Sequence, residues 1–122
     1  MIVLIVDDDP DILEVIELCL ETNWPDATLL RARNGSEALQ LSAQLGMSLV
    51  ILDLGLPDID GLEVCRQIRE KSDVPVLILT VRDRIQDAAA AEEAGASAYL
   101  TKPFSTPTLV SHVKHLLESA PG

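Results

Sequence analysis

Asp7, Asp8, Asp53, Thr80 and Lys102 each stand at or just past the end of a short apolar run. The runs are Ile2–Val6, Leu49–Leu52, Val76–Leu79 and Ala98–Leu100. In a parallel sheet the carboxyl ends of the strands open onto one edge, so three carboxylates, a hydroxyl and an ammonium converge there. Three close anions repel one another by several kcal/mol at an intermediate dielectric unless something neutralises them. A hard divalent cation with oxygen ligands does that, and Mg²⁺ in particular keeps waters and accepts a phosphate oxygen. Lys102 and Thr80 are then placed for the remaining oxygens of that phosphate, one through charge and one through a hydrogen bond. The chemistry is that of a phosphoryl-transfer site.

The parts of a nucleotide-hydrolysing machine are missing from the sequence. It has no G-x-x-x-x-G-K-[ST] loop and no G-x-G-x-x-G after a strand. His112 and His115 lie within the last helical segment, far from the strand ends, and read as a partly exposed helix face. The phosphate must therefore come to a protein side chain, and a carboxylate such as Asp53 can be that nucleophile, as aspartyl phosphates illustrate.

The elements that position these residues alternate between strand and helix. The strands read as Ile2–Val6, Ala27–Arg33, Leu49–Leu52, Val76–Leu79 and Ala98–Leu100. The first, third and fourth are almost wholly apolar and so belong at the centre of a sheet covered on both faces. Ala27–Arg33, with Arg31 and Arg33, reads as an edge. The helices read as Pro10–Glu21, Ser36–Leu45, Leu62–Lys71, Asp83–Ala94 and Thr106–Ser119. Asp9-Pro10 is a helix start, with Asp as N-cap and Pro in the first turn. Apolar Ile12, Leu13, Val15, Ile16, Cys19 and Leu20 then recur at helical spacing, and Gly95 fits a C-terminal cap. Asn34-Gly35 reads as a strand-to-helix connection rather than a hairpin. Pro57, Asp58 and Gly61 read as the turn into the third helix, with Asp58 and Asp60 as loop acids.

The 122 residues suit one domain, 1–122, with a core large enough to need no staples. Nine Lys and Arg against 20 Asp and Glu leave a net charge of −11, which argues against direct binding to nucleic acid or to an anionic membrane. Cys19 and Cys65 lie on apolar helix faces, so neither a disulfide nor a zinc site is expected. The longest apolar runs are strand-sized and no signal peptide opens the chain, so the expected setting is cytoplasmic.

The segments "VDDDP", "VILDLGLPDIDGLEV", "LTVRD" and "YLTKPF", in that order and spacing, resemble the receiver domain of bacterial two-component response regulators, and the match covers essentially the whole chain. The resemblance implies a doubly wound α/β fold, a flavodoxin-like five-stranded parallel sheet of order 2-1-3-4-5 with five flanking helices. It implies that Asp53 accepts a phosphoryl group from a sensor histidine kinase in the presence of Mg²⁺. Asp8 then ligates the metal directly, Asp7 acts through water, and Gly55 offers its backbone carbonyl. Thr80 and Lys102 grip the phosphoryl oxygens, and Tyr99 turns inward as Thr80 moves. The remodelled surface of the fourth helix, fifth strand and fifth helix controls an output domain or partner. The resemblance also implies that Lys102-Pro103 is often cis.

Departures from the family pattern shape three further expectations. Gly95-Ala96 is followed by Ser97 and Ala98 instead of an acidic pair, so a dimer through that surface should be weak. Gly55 carries no side chain to orient a hydrolytic water, Val81 is bulkier than the usual small residue, and Arg82 can lie across the phosphoryl group. Together they point to a long phosphate lifetime. No effector domain follows the fifth helix, as in a stand-alone receiver or one excised from a longer chain. The runner-up reading is a phosphatase with an aspartyl nucleophile on a similar fold, although such enzymes usually place a second Asp where Gly55 stands.

Overall fold

A computed structural model of the chain describes residues 1–44 and 46–119. Strands β1 (Ile2–Val6), β2 (Thr28–Ala32), β3 (Leu49–Leu52), β4 (Val76–Thr80) and β5 (Ala98–Thr101) alternate with helices α1 (Pro10–Asn23), α2 (Gly35–Gln44), α3 (Gly61–Lys71), α4 (Ile85–Glu93) and α5 (Thr106–Ser119). All pairings are parallel and the sheet order is β2-β1-β3-β4-β5. The apolar strands β1, β3 and β4 therefore lie at the centre, and the arginine-bearing β2 lies at an edge, where Arg31 pairs with Glu17 of α1. No helix among the described residues is long and apolar enough to cross a membrane.

Alternate side chains of a strand face opposite sides of a sheet, and here they build two cores. Val3, Ile5, Leu49, Ile51, Leu77 and Leu79 pack against Leu13, Ile16 and Leu20 of α1 and Leu109, Val113 and Leu116 of α5. Leu4, Val6, Val50, Leu52, Val76 and Ile78 pack on the other face against Ala38 of α2, Val64, Cys65 and Ile68 of α3, and Ala91 of α4. Each fully buried Leu or Ile contributes about 1.5–3 kcal/mol, so the two layers supply most of the stabilisation. Cys19 and Cys65 are both free and buried, one in each core.

The element ends differ from the sequence reading where the cause is tertiary. Asp9 accepts from the Asp11 N–H at 2.9 Å and caps α1 as expected. Val15, read as part of the apolar stripe, is 47% exposed, because Leu13, Ile16 and Leu20 already complete the buried stripe. Helix α2 starts at Gly35, one residue early, and its expected end at Leu45 lies outside the described residues. Helix α4 starts at Ile85 instead of Asp83, behind an Arg84 N-cap that makes no side-chain cap bond. Gly95 has a φ of +99°, the left-handed conformation expected of a residue closing a helix. A Cβ there would also stand 2.7 Å from Arg69 Cγ.

Candidate functional site

Register alone brings two of the acids together. Val6 of β1 is level with Leu52 of β3, so the next residues, Asp7 and Asp53, emerge side by side. Both still belong to the sheet through their backbones: Asp7 N–H donates to Ala32 O at 3.1 Å and Asp53 N–H to Val6 O at 3.0 Å. That anchoring fixes the two carboxylates to within the tolerance of the sheet. Asp7 and Asp53 are buried, at 2% and 7% exposure, while Asp8 is exposed. Strand β4 runs past β3, placing Thr80, its last residue, fully buried beyond Asp53. Thr80 pairs with Thr101 of β5, and Lys102 follows, its N–H donating to Thr80 O at 2.8 Å.

Lys102 then reaches back across the strand ends. Its Nζ donates to Asp7 Oδ2 at 2.6 Å and to Asp53 Oδ2 at 3.3 Å. The other oxygens are held by backbone: Asp7 Oδ1 accepts from the Asp9 N–H at 2.9 Å and Asp53 Oδ1 from the Gly55 N–H at 3.3 Å. Burial pushes the Asp7 carboxyl above its usual range, against the pull of the Lys102 bond. Burial also disfavours the Lys102 ammonium, but the bond to Asp7 and the charges of Asp53 and Asp7 outweigh it and hold the amine above the usual lysine range. One cation thus faces three acids.

That remaining negative charge suits a second cation. Ligand oxygens of Asp7, Asp8 and Asp53 all lie within 4.8 Å of one another. In an octahedral Mg²⁺ shell the oxygens sit about 2.1 Å from the ion and so within about 4.2 Å of each other. The three carboxylates are thus close enough to surround one hard dication, directly or through its waters, so the donor set fits such an ion chemically and in size.

The loop from Leu54 to Asp60 that carries Gly55 is closed on itself and tied to both neighbours. Gly61 N–H donates to Leu54 O at 2.9 Å, and a Cβ on Gly61 would lie 2.3 Å from Asp53 O. Only glycine lets α3 start this close to the end of β3. Asp58, read as a loop acid, accepts from the Gly35 and Ser36 N–H groups at 2.7 and 3.0 Å and so caps α2 from a distant loop. These bonds, with that from Ile59, hold its carboxyl below the usual range. Asp60, read the same way, caps α3 through the Leu62 N–H at 2.9 Å and pairs with Arg82 at 3.3 Å. Its place just before a helix is an N-cap signal that the sequence did carry; the partners of Asp58 are too remote in sequence to have been read.

Tyr99 and the residues after Thr80 complete the surroundings. The Tyr99 hydroxyl donates to the Arg82 carbonyl at 2.7 Å while its ring packs against the core. Val81 is 69% exposed, and the Gly55 Cβ direction is open, with nothing within 4 Å. Arg82, expected across a phosphoryl group, is held here by Asp60 and, at 3.5 Å, by Leu54 O. The Lys102-Pro103 bond is cis, as the resemblance implied. His112 and His115 lie on α5, away from the site, as read.

An open parallel sheet with an acid cluster, a lysine and a hydroxyl at its carboxyl edge defines an α/β domain able to hold a cation and a phosphoryl group together. A model of the response regulator receiver domain matches residues 3–114, and the chain belongs to that family. Response regulator MprA of Mycobacterium sp. (strain KMS) is 41% identical over 116 residues, covering 94% of this chain and 50% of that protein. Transcriptional regulatory protein ResD of Bacillus subtilis is 38% identical over 118 residues, covering 97% of this chain and 48% of that one. The chain spans about half the length of these curated relatives. A two-component response regulator from Clostridium difficile superposes with a TM-score of 0.92 at 28% identity, covering 98% of this chain and 97% of that one. A CheY-like receiver domain protein from Methanospirillum hungatei does so with a TM-score of 0.89 at 26% identity, covering 96% and 93%. The chain is thus a signalling domain of the two-component type, and none of these similarities supports the phosphatase alternative.

Proposed function

We propose that residues 1–122 form one phosphoacceptor unit in which Asp53 takes a phosphoryl group from the phosphohistidine of a sensor histidine kinase. The observation that carries this reading is the Asp7–Lys102–Asp53 cluster at the carboxyl edge of the sheet, with Lys102 Nζ bonded to both acids. In the transfer an Asp53 oxygen forms a bond to phosphorus while the P–N bond to the histidine breaks, and the leaving imidazole nitrogen takes up a proton. The attacking carboxylate is backed by the Gly55 N–H, which donates to Asp53 Oδ1 at 3.3 Å. Lys102 is within reach of the phosphoryl oxygens because it already touches Asp53, and Thr80 offers its hydroxyl from the neighbouring strand end. Asp7, Asp8, Asp53 and the Gly55 carbonyl would hold Mg²⁺, Asp8 directly and Asp7 through water. The ion would supply charge neutralisation for the transferring oxygens. The chain assists its own phosphorylation and dephosphorylation and turns over no separate substrate.

Phosphorylation then biases a pre-existing equilibrium by drawing Thr80 toward the new group and letting Tyr99 settle behind it, which remodels the α4-β5-α5 surface read by an output domain or partner. That ResD is a transcriptional regulatory protein about twice as long supports an output domain that controls transcription, while the net charge of this domain argues against its binding nucleic acid itself. With Ser97 and Ala98 on that face, a dimer is weak, and sedimentation at several concentrations of phosphorylated protein should find mostly monomer. A cytoplasmic setting follows from the kinase partner.

The test is incubation with a small phosphodonor and Mg²⁺. A switch takes up one phosphate and stops, whereas steady release of phosphate would mark an enzyme and no uptake an interaction module. Asp8→Asn should lose the Mg²⁺-dependent uptake, and labelling at the parental rate would overturn the metal assignment. Gly55→Asn, whose side chain has open space, and Val81→Ala should each shorten the phosphate lifetime.

A further inference from the structure

Arg82 is engaged in three directions. Its guanidinium Nη2 lies 3.3 Å from Asp60 Oδ2 and 3.5 Å from the carbonyl of Leu54, the residue next to Asp53. Its N–H donates to Thr80 Oγ1 at 3.4 Å, and its carbonyl accepts from the Tyr99 hydroxyl at 2.7 Å. The guanidinium is therefore parked one residue from the acceptor, on a carboxylate whose other oxygen caps α3.

This parking is weakly held. Asp60 is about half exposed, and ion pairs of that kind are among the weakest in proteins. A phosphoryl group on Asp53 carries nearly two negative charges and three acceptor oxygens, a stronger partner for a planar guanidinium than one solvated carboxylate. Arg82 cannot serve both fully. Taking Asp53 as the phosphoacceptor, as proposed above, we infer that Asp60 is a positioning residue that competes with phosphorylated Asp53 for the Arg82 guanidinium and thereby shortens the life of the phosphoryl group.

The loss in question is hydrolysis. A water oxygen bonds to phosphorus, the P–O bond to Asp53 breaks with its electron pair returning to the carboxylate, and the water proton leaves to solvent with inorganic phosphate as product. A guanidinium across the phosphoryl oxygens covers the approach of that water, and one held by Asp60 does not.

The two partners of one ion pair should then act in opposite directions, which loss of a merely structural bond would not produce. Asp60→Asn keeps the helix cap, since Asn is as good an N-cap as Asp, but loses the charge. The phosphodonor is removed and acyl phosphate decay is followed by acid quench and mass measurement at fixed Mg²⁺ and pH. Asp60→Asn, and Asp60→Ser as a second uncharged cap, should lengthen the half-life about two- to fivefold, the range a half-exposed pair can shift. Arg82→Gln should shorten it, and the Asp60→Asn, Arg82→Gln double variant should decay like Arg82→Gln alone. Unchanged or faster decay in Asp60→Asn, or a shift in the same direction for both partners, would overturn the inference while leaving Asp53 as acceptor. A parent protein that gains no phosphate on Asp53 would overturn both.

Discussion

Asp7 illustrates how a single residue can serve the site at the expense of the fold. It is nearly inaccessible, and its carboxyl is held above the usual range first by burial, then by the nearby Asp53 charge. A carboxyl whose folded pKa is raised costs stability above that pKa, and the cost disappears as the pH falls below the unfolded value. Lys102 has the opposite sign: its raised amine contributes stability below the usual lysine range that is lost as the pH rises through the folded value. Asp7→Asn should therefore stabilise the metal-free protein at neutral pH by about 1 kcal/mol, seen as a higher thermal midpoint. The same variant should bind Mg²⁺ more weakly, by titration. Lower stability at neutral pH with unchanged Mg²⁺ affinity would contradict this placement of Asp7.

The loop between β3 and α3 shows what was legible at the scale of elements and what was not. Central strands β1, β3 and β4 could be read from unbroken apolar runs, α1 from helical spacing with an Asp cap and a Pro in the first turn, and α5 from helical spacing alone. Which strands neighbour which came from the family resemblance and not from periodicity. The ties of Asp58 and Asp60 were read only as loop acids, because Asp58 meets Gly35 and Arg82 meets Asp60 across 23 and 22 residues. Gly61 was read as a turn residue; its need to be glycine comes from the carbonyl of Asp53 beside it. Gly61→Ala should cost about 2–4 kcal/mol by forcing the end of β3 and α3 apart, measurable by denaturant unfolding. Asp58→Ala should lower the thermal midpoint. Because the Asp58 pKa is depressed, its contribution is present above the unfolded aspartate pKa and lost as the pH falls through the folded value, so the difference from parent should vanish in acid.

At the scale of the whole molecule, two apolar layers on a five-stranded sheet hold an acidic edge whose charge is only partly balanced by Lys102. A ligand that binds the folded edge and not the unfolded chain stabilises by mass action, so Mg²⁺ at ten times its dissociation constant should add about 1.4 kcal/mol, reversed by a chelator. That gain should be absent in Asp8→Asn. The proposed long-range consequence, a changed α4-β5-α5 surface, has a built-in reporter because Tyr99 is the single tyrosine of the chain. Its ring NMR signals should move on phosphorylation, and unchanged signals would rule out this route. All of this depends on where the phosphate lands. The most direct measurement is to incubate the protein with a small phosphodonor and Mg²⁺, fragment it, and locate the added phosphate by mass spectrometry. One acyl phosphate on Asp53, lost in Asp53→Asn, is the expected result; phosphate on another residue, or undiminished uptake by Asp53→Asn, would contradict the account.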